Sequence, residues 1–561
     1  MRRMMFAAGL VLLVFVARGA GQTDALDLLI VGGRIVDGAG NPWFRADVGI
    51  RGGRIVDIGQ LASRPARQRV DARDRIVSPG FIDMMAGSSV PLVADPPSAE
   101  SKLRQGITTI LVGEGGSVAP QNERTMRRPD DDDGLPITWR TFAEYFKLVE
   151  LKRIALNVVH NVGAAQVRRV VVGDENQRPT SAQLDEMRRL VAQAMQDGAV
   201  GVSSALIYPP GTYATTEELI ELAKVAAQYH GIYLTHMRNE SGGVLDAIRE
   251  TIRIGEEAHL PVHIYHLKAA GQANWRLMTD ALALIADTRA RGVDITADIY
   301  PYIRNGIGLG SFLNPRHYAR GTAPFLQTLG DAALRRELRR EVETTSDWEN
   351  WYQHVGRDWD NVLITSVGAR GNKEFVGLSV KQVAQKRGID EWDAFFDLVQ
   401  GGGIGVAPKS MNEDQKREAL RAPFISVDTD SAPTNPASVP SAHPRAFGTF
   451  ARIIQQYVIE EHVIPLEEAV RKMTSLPANR LMLHDRGRIA LGMSADLLVY
   501  DPRQVKDTAT YAKPLSFATG IDCVVINGEL VIDEGKTTGA KPGILLRHTP
   551  SQKSSSRGST P

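Results

Sequence analysis

Between residues 76 and 430 the chain alternates short apolar runs with amphipathic stretches of helical period. The apolar runs at 76–85, 107–112, 154–159, 199–205, 232–236, 262–266, 294–298 and 424–430 read as buried strands. Stretches such as SAQLDEMRRLVAQAMQDG (181–198), TEELIELAKVAAQYH (216–230) and GVLDAIRETIRIGEEAH (243–259) repeat apolar residues at three- and four-residue spacing, which predicts amphipathic helices. Eight strands in βα repeats predict a (β/α)8 barrel of the TIM type. A doubly wound open sheet is the alternative, and it explains the polar strand ends less well.

The flanks follow another rhythm. DLLIVGGRIVDGAG (27–40) and ADVGIRGGRIVDIGQ (46–60) are β-branched runs broken at Gly-Gly turns, and ADLLVYDP (495–502), ATGIDCVVINGELVIDEG (518–535) and GILLRH (543–548) repeat the pattern near the other end. Together they predict one small β-sandwich domain built from 22–75 and 485–547, with the barrel spanning 76–484. Residues 303–422 separate the last two barrel strands and contain four Trp; an excursion at this face of a barrel is where a lid would sit. The run of four Asp at 130–133 reads as a solvated loop, and 548–561 as a disordered tail by composition.

Residues 1–21 differ again. A basic start, an uncharged apolar run from Phe6 to Val16 and small residues thereafter predict a secretory signal peptide cleaved near 19–22, hence an exported protein, periplasmic or secreted. The apolar run is shorter than the ~20 residues of a membrane span. Cys523 is the sole cysteine, so no disulfide forms within the chain. A formal net charge of +1 gives no reason to expect nucleic acid or an anionic membrane surface as partner. The sequence carries no signal for oligomeric state.

In a barrel, side chains at the C-terminal strand ends share one bowl. His236 and His266 sit at the tips of strands five and six, and Glu114 follows strand two in the Gly-rich turn GEGG. Two imidazoles and a carboxylate suit zinc, with manganese or another divalent ion as alternatives, and leave a coordination position open. His263 falls on the other face of its strand and is assigned to packing. After strand eight, Asp428 and Asp430 alternate along the chain, and Asp430, nearer the bowl, is the candidate to move a proton. Arg445 can grip a carboxylate with two prongs, and His443 lies beside it in sequence. Tyr208, Asp298, Tyr300 and Tyr302 also lie near strand ends and, with His443, are candidates to line the substrate pocket.

The stretches LLIVGGRIVDGAG, VSPGFIDM, GITTILVGEGG, GVSSALIYPPGTYA, LTHMRNE, IYHLKAAGQANW, ADIYPY, HPRAFGTF, LEEAVRKMTSLPANRL and DRGRIALGMSADLLVYDP resemble the amidohydrolase superfamily, in its D-aminoacylase (N-acyl-D-amino-acid deacylase) branch. The resemblance runs almost from end to end. It implies a barrel with a small β-sandwich, and a hydrolase that cleaves an N-acyl-D-amino acid to a carboxylate and a D-amino acid. A cyclic amidase, a D-dipeptidase or a non-catalytic binding descendant are the alternatives. It further implies that His236 and His266 hold the tight metal, that Asp430 is the catalytic acid and base, and that Lys268, Arg445 and Tyr300 hold the substrate carboxylate. Two positions depart from the family. Its strand-one His-x-His is Met85-x-Gly87 here, and its strand-two cysteine is absent, with Glu114 as the ligand type available. The expectation is a one-metal hydrolase.

Overall fold

A computed structural model describes residues 25–126, 135–368 and 372–549. The predicted signal segment, the four-Asp run and the tail beyond 549 lie outside these residues. Eight parallel strands form the barrel: one, Phe81–Asp83; two, Ile107–Val112; three, Asn157–His160; four, Gly201–Ala205; five, Ile232–His236; six, Val262–Ile264; seven, Ile295–Ile299; eight, Ile425–Val427. Strand three is interrupted at Asn161; its first part pairs with strand two, and Val162–Gly163 pairs with strand four. The ring closes where Met84 N–H donates to Val427 O at 3.4 Å.

Gly80 divides the first predicted strand. Ile76–Pro79 pairs antiparallel with Leu497–Tyr500 and belongs to the small β domain, while Phe81–Asp83 belongs to the barrel. The reason is steric: a Cβ at Gly80 would lie 2.2 Å from the Thr108 hydroxyl, so only glycine lets the chain pass this close to strand two. The small domain is a nine-stranded sheet that joins both ends of the chain, around Leu28, Ile30, Val48, Val77, Leu497 and Val525.

Residues 541–548 do not stay with that sheet. Gly543 and Leu546 donate backbone bonds to Ile154 and Val158, and His548 donates to Gly198 O at 2.9 Å, so this segment is fastened to the barrel. The excursion after strand seven has its own three-stranded antiparallel sheet and its own aromatic core of Phe312, Trp351, Trp359, Trp392 and Phe395. Its last helix, Glu413–Arg421, packs on helix Leu277–Ala290 and strand eight, so it is a barrel helix rather than part of the insertion.

Met85 faces the barrel bore with Ile82, Leu111, Val159 and Tyr265. Beside it a fully buried Lys102 ammonium reaches Asp83 at 3.0 Å, Thr429 Oγ1 at 2.5 Å and Ser431 O at 2.7 Å, tying strand one to the chain beyond strand eight. No helix among the described residues is long and apolar enough to cross a membrane.

Candidate metal centre

Glu114 is aimed by the glycines around it. Gly113 and Gly115 have φ of +102° and +62°, a region glycine enters without strain. A Cβ at Gly115 would lie 2.6 Å from Ala205 of strand four, and one at Gly113 would lie 2.8 Å from Asn161 O. The turn therefore lies flush on strands three and four and sends the Glu114 side chain over the mouth of the barrel.

His236 ends strand five. His266 lies two residues beyond strand six, at φ +36°, an unusual backbone for a non-glycine residue, and its N–H is fixed by Asp298. Glu114 Oε1 stands 2.8 Å from His236 Nδ1 and 2.9 Å from His266 Nε2, with the two rings 4.5 Å apart and nearly perpendicular. The three donor atoms lie within 4.8 Å of one another. One carboxylate oxygen and two imidazole nitrogens converging in this way fit a divalent cation of zinc type. The electrostatics agree. Burial alone would raise the Glu114 carboxyl, but hydrogen bonds from His236 and His266 outweigh it and hold the group ionised. Burial and the Lys268 charge act to lower His266, yet Glu240, Asp430 and Glu114 push it up to about 10, the behaviour of an imidazole in a place built for a positive charge.

Asp430 also stands on left-handed backbone, at φ +44°, three residues past strand eight. Its Oδ2 is 2.6 Å from Arg445 Nη1. Burial raises its carboxyl, Arg445 and His266 pull it back, and the net direction is upward, which suits a group that must accept a proton. The Arg445 guanidinium lies 4.7 Å from the Tyr300 ring centre. Tyr208 packs edge-on against His236 at 5.3 Å. His443 Nδ1 accepts the Arg445 N–H at 3.1 Å, and the ring is held neutral, first by burial and then by the Arg445 charge.

Lys268 has a different neighbourhood from the one the resemblance implies. Its ammonium sits 2.6 Å from Glu240 Oε1 and 2.7 Å from His266 Nδ1, on the side of that ring away from Glu114. Only 2% of it is exposed, and it lines none of the cavities described below. His263 is fully buried, between Thr296 Oγ1 at 2.7 Å and Asp298 Oδ2 at 2.8 Å, a packing role as expected.

Sequence reasoning missed several groups. Glu240 lies four residues after His236, in the quoted stretch LTHMRNE, where a carboxylate near a ligand histidine was the available signal. Glu349, from the insertion, carried no signal. Asp428, which the sequence did offer, does not share a partner with Asp430; both of its oxygens are buried without a hydrogen bond, and burial followed by the charges of Asp298 and Asp430 raises its carboxyl well above the usual range. Lys416, on helix Glu413–Arg421, is buried against Tyr300 at 4.8 Å, with the Met411 sulfur 3.3 Å from its nitrogen.

Burial pulls the Lys416 amine down to about 7 from its ordinary 10.5. Between these pH values the unfolded chain holds a proton that the folded chain lacks. Folding is therefore penalised in full below pH 7, and the penalty falls from there and disappears as pH rises toward 10.5. Lys416→Met is expected to stabilise the fold by roughly 1–4 kcal/mol at pH 7, with the gain shrinking at alkaline pH. Denaturant unfolding of both proteins at pH 7 and pH 10 checks this, and equal stabilities at pH 7 would contradict it.

Two cavities flank the centre. The larger, about 690 Å³, lies beneath the insertion and is lined by residues including Tyr208, Leu309, Leu326, Ile404 and Arg445. The smaller, about 340 Å³, adjoins Glu114 on the side of strands one to three and is lined by residues including Ser88, His160, Gln166 and Arg169.

Residues 381–532 match the amidohydrolase family. A D-aminoacylase of Alcaligenes xylosoxydans xylosoxydans is 33% identical over 535 residues, 94% of this chain and 99% of that one. Among solved structures, N-acyl-D-glutamate deacylase from Bordetella bronchiseptica, complexed with zinc and a phosphonate that mimics the reaction's tetrahedral intermediate, is 32% identical; the match covers 93% of this chain and 100% of that one, with a TM-score of 0.80. A D-aminoacylase whose binuclear metal centre shows one-metal activation and second-metal attenuation is 31% identical over the same shares, with a TM-score of 0.79. With identity above 30% along nearly the whole chain, and with a barrel whose strand ends converge on a metal-ligand set, the chain belongs to the amidohydrolase family, in its D-aminoacylase branch.

Proposed function

We propose that this protein is a metal-dependent hydrolase of N-acyl-D-amino acids with apolar side chains. The observation that carries the reading is the convergence of Glu114, His236 and His266 beside the Asp430–Arg445 pair. Those three residues would hold the metal ion, which when bound supplies a Lewis acid for the scissile carbonyl and activates water. Asp430 takes the proton from the attacking water and returns it to the departing nitrogen as that bond breaks. Arg445 has donors to spare beyond Asp430, and one face of its guanidinium borders the larger cavity, so it holds the substrate carboxylate with Tyr300 beneath it. Lys268, committed to Glu240, supports the centre instead.

One ion rather than two is part of this reading. Where the family's strand-one histidines would stand, Met85 fills the bore and Gly87 turns at φ +64° with Ala432 3.4 Å from where a Cβ would be. Export rests on the basic and apolar character of residues 1–21.

The preference for apolar side chains follows from the larger cavity. Among the described residues that line it, Arg445 is the only lysine or arginine, and His443 is neutral. A second substrate carboxylate would find no basic partner besides Arg445 among these described residues, and burying it unpaired costs several kcal/mol. N-acetyl-D-leucine and N-acetyl-D-phenylalanine are therefore expected to have kcat/KM at least about 10-fold above N-acetyl-D-glutamate, with the L-isomers slower still. Steady-state assays of amine release on these compounds test the reading. Preference for the acidic substrate would overturn the side-chain assignment, and no turnover of any N-acyl-amino acid would overturn the function.

A further inference from the structure

We infer that Glu240 is the positioning residue of the metal centre: one buried carboxylate orders both metal histidines at once, and the insertion holds that carboxylate in place through Glu349. The inference rests on the metal-centre reading above and adds to it a residue that touches neither substrate nor metal.

The argument starts from imidazole chemistry. A histidine that binds a metal through one nitrogen is neutral and carries its proton on the other, and whatever accepts that proton fixes tautomer and ring orientation. His236 turns Nδ1 toward Glu114, so its proton belongs on Nε2. His266 turns Nε2 toward Glu114, so its proton belongs on Nδ1. The two histidines thus use opposite nitrogens, yet their outward nitrogens face the same side chain. Glu240 Oε1 is 2.9 Å from His266 Nδ1, and Glu240 Oε2 is 3.4 Å from His236 Nε2. His236 Nε2 is buried and has no hydrogen-bond partner of its own, so the long contact to Glu240 is the one it can close. A single carboxylate with one oxygen for each ring also sets the near-perpendicular angle between them.

Glu240 is itself held on every side. It is 1% exposed. Its backbone N–H donates to Glu349 Oε1 at 2.6 Å, and its carbonyl accepts the Ala270 N–H at 2.6 Å. Lys268 donates to Oε1 at 2.6 Å and balances its charge. Once His266 Nδ1 carries its proton, its 2.7 Å contact with the Lys268 ammonium sets donor against donor, so the ammonium turns from the ring toward Glu240. The chain between His236 and Glu240 is also pinned, since Arg238 bridges Glu250 and the carbonyls of Thr212 and Ala214. Glu349 comes from the insertion, so the position of Glu240 depends on the seating of that segment over the barrel.

His236, Glu240 and Glu349 also offer donor atoms within 4.8 Å of one another. A cation there would need His236 to ligate through both nitrogens and would compete with the Lys268 ammonium for Glu240, so the geometry favours the positioning role.

The test measures zinc binding to the purified full chain, stripped with a chelator and titrated against a chromophoric competitor, for wild type, Glu240→Ala, Glu240→Gln and Glu114→Ala. Folding of each is followed by circular dichroism. Glu240→Ala is expected to weaken zinc by about 10- to 100-fold while the wild type binds one zinc. Glu240→Gln keeps the shape and one acceptor oxygen, so it is expected to lose less than Glu240→Ala. The imidazole N–H resonances of the zinc-loaded wild type should show one histidine protonated at Nε2 and one at Nδ1, both protected from exchange, and that protection should be lost in Glu240→Gln. If Glu240→Ala fails to fold, the Gln variant decides by the same affinity and exchange readouts. Zinc affinity within about twofold of wild type in a folded Glu240 variant, with Glu114→Ala strongly impaired, would overturn the inference and spare the metal centre. Two zinc ions per wild-type chain, falling to one in Glu240→Ala, would overturn it in favour of a ligand role. Unchanged affinity in Glu114→Ala as well would overturn the metal-centre reading itself.

Discussion

Asp430→Asn is expected to lower kcat by about 10³-fold while the protein keeps its bound metal. The substitution preserves size and removes the carboxylate proposed to take a proton from water and give it to nitrogen. Asp430 is not among the three residues that converge on the metal position, so metal content should not move. Two features make the loss large. The carboxyl sits on strained left-handed backbone that fixes where it points, and Arg445 holds its Oδ2 at 2.6 Å, so no water-borne base can easily stand in its place. The asparagine also leaves the buried Arg445 without a charged partner, so a stability loss of a few kcal/mol should accompany the kinetic one. Steady-state assays, elemental analysis and denaturant unfolding separate the three effects. A variant with near wild-type kcat would remove Asp430 from the proton-transfer role, and one that lost its metal would make Asp430 a ligand.

The parts of this site that could be read in the sequence are those carried by local pattern. His236 and His266 were visible because strand tips in a barrel share a bowl, and Glu114, a residue type usually just solvated in a loop, because it directly follows strand two at the place where the family carries a ligand. Strands two and five have the ends that their apolar runs give them. What the sequence could not supply depends on distance across the fold. Strand one breaks at Gly80 because Thr108 crowds it, and nothing near residue 80 in the sequence says so. His266 and Asp430 lie beyond the ends of their strands, on left-handed backbone, which a pattern of apolar and polar residues does not encode. Lys268 was tied to the substrate by resemblance, but its ammonium is taken by Glu240, whose nearness is set by the packing of two barrel loops against an inserted segment. The Lys102–Asp83 pair joins residues that belong to different layers, and each alone reads as an ordinary surface charge. Met85 and Gly87 were legible as a departure, while the burial of Met85 in one apolar cluster with Tyr265 and Leu111 needed the barrel to be assembled.

Glu114→Ala should abolish measurable turnover at stoichiometric zinc and weaken zinc binding by more than about 100-fold, the upper end of what a supporting residue costs. Glu114 supplies the only charged donor of the three, and its single oxygen faces both imidazoles, so its loss removes a ligand and the ionic attraction together. Glu114→Gln separates these contributions: the amide oxygen restores a donor of the same reach without the charge, so it should recover part of the affinity and little of the activity. The pH dependence gives an independent check. Without metal, the carboxylates around His266 hold its proton up to about pH 10, so metal must displace that proton to reach Nε2. Zinc affinity should therefore rise about tenfold per pH unit from pH 6 toward pH 9, with a proton released on binding that calorimetry in buffers of different ionisation enthalpy can count. In Glu114→Ala the His266 proton is held less tightly, because one of the carboxylates that raises it is gone, so the slope should flatten at lower pH even as the absolute affinity falls. A variant that lost affinity but kept the wild-type pH profile would separate Glu114 from His266 and place the metal elsewhere in the bowl.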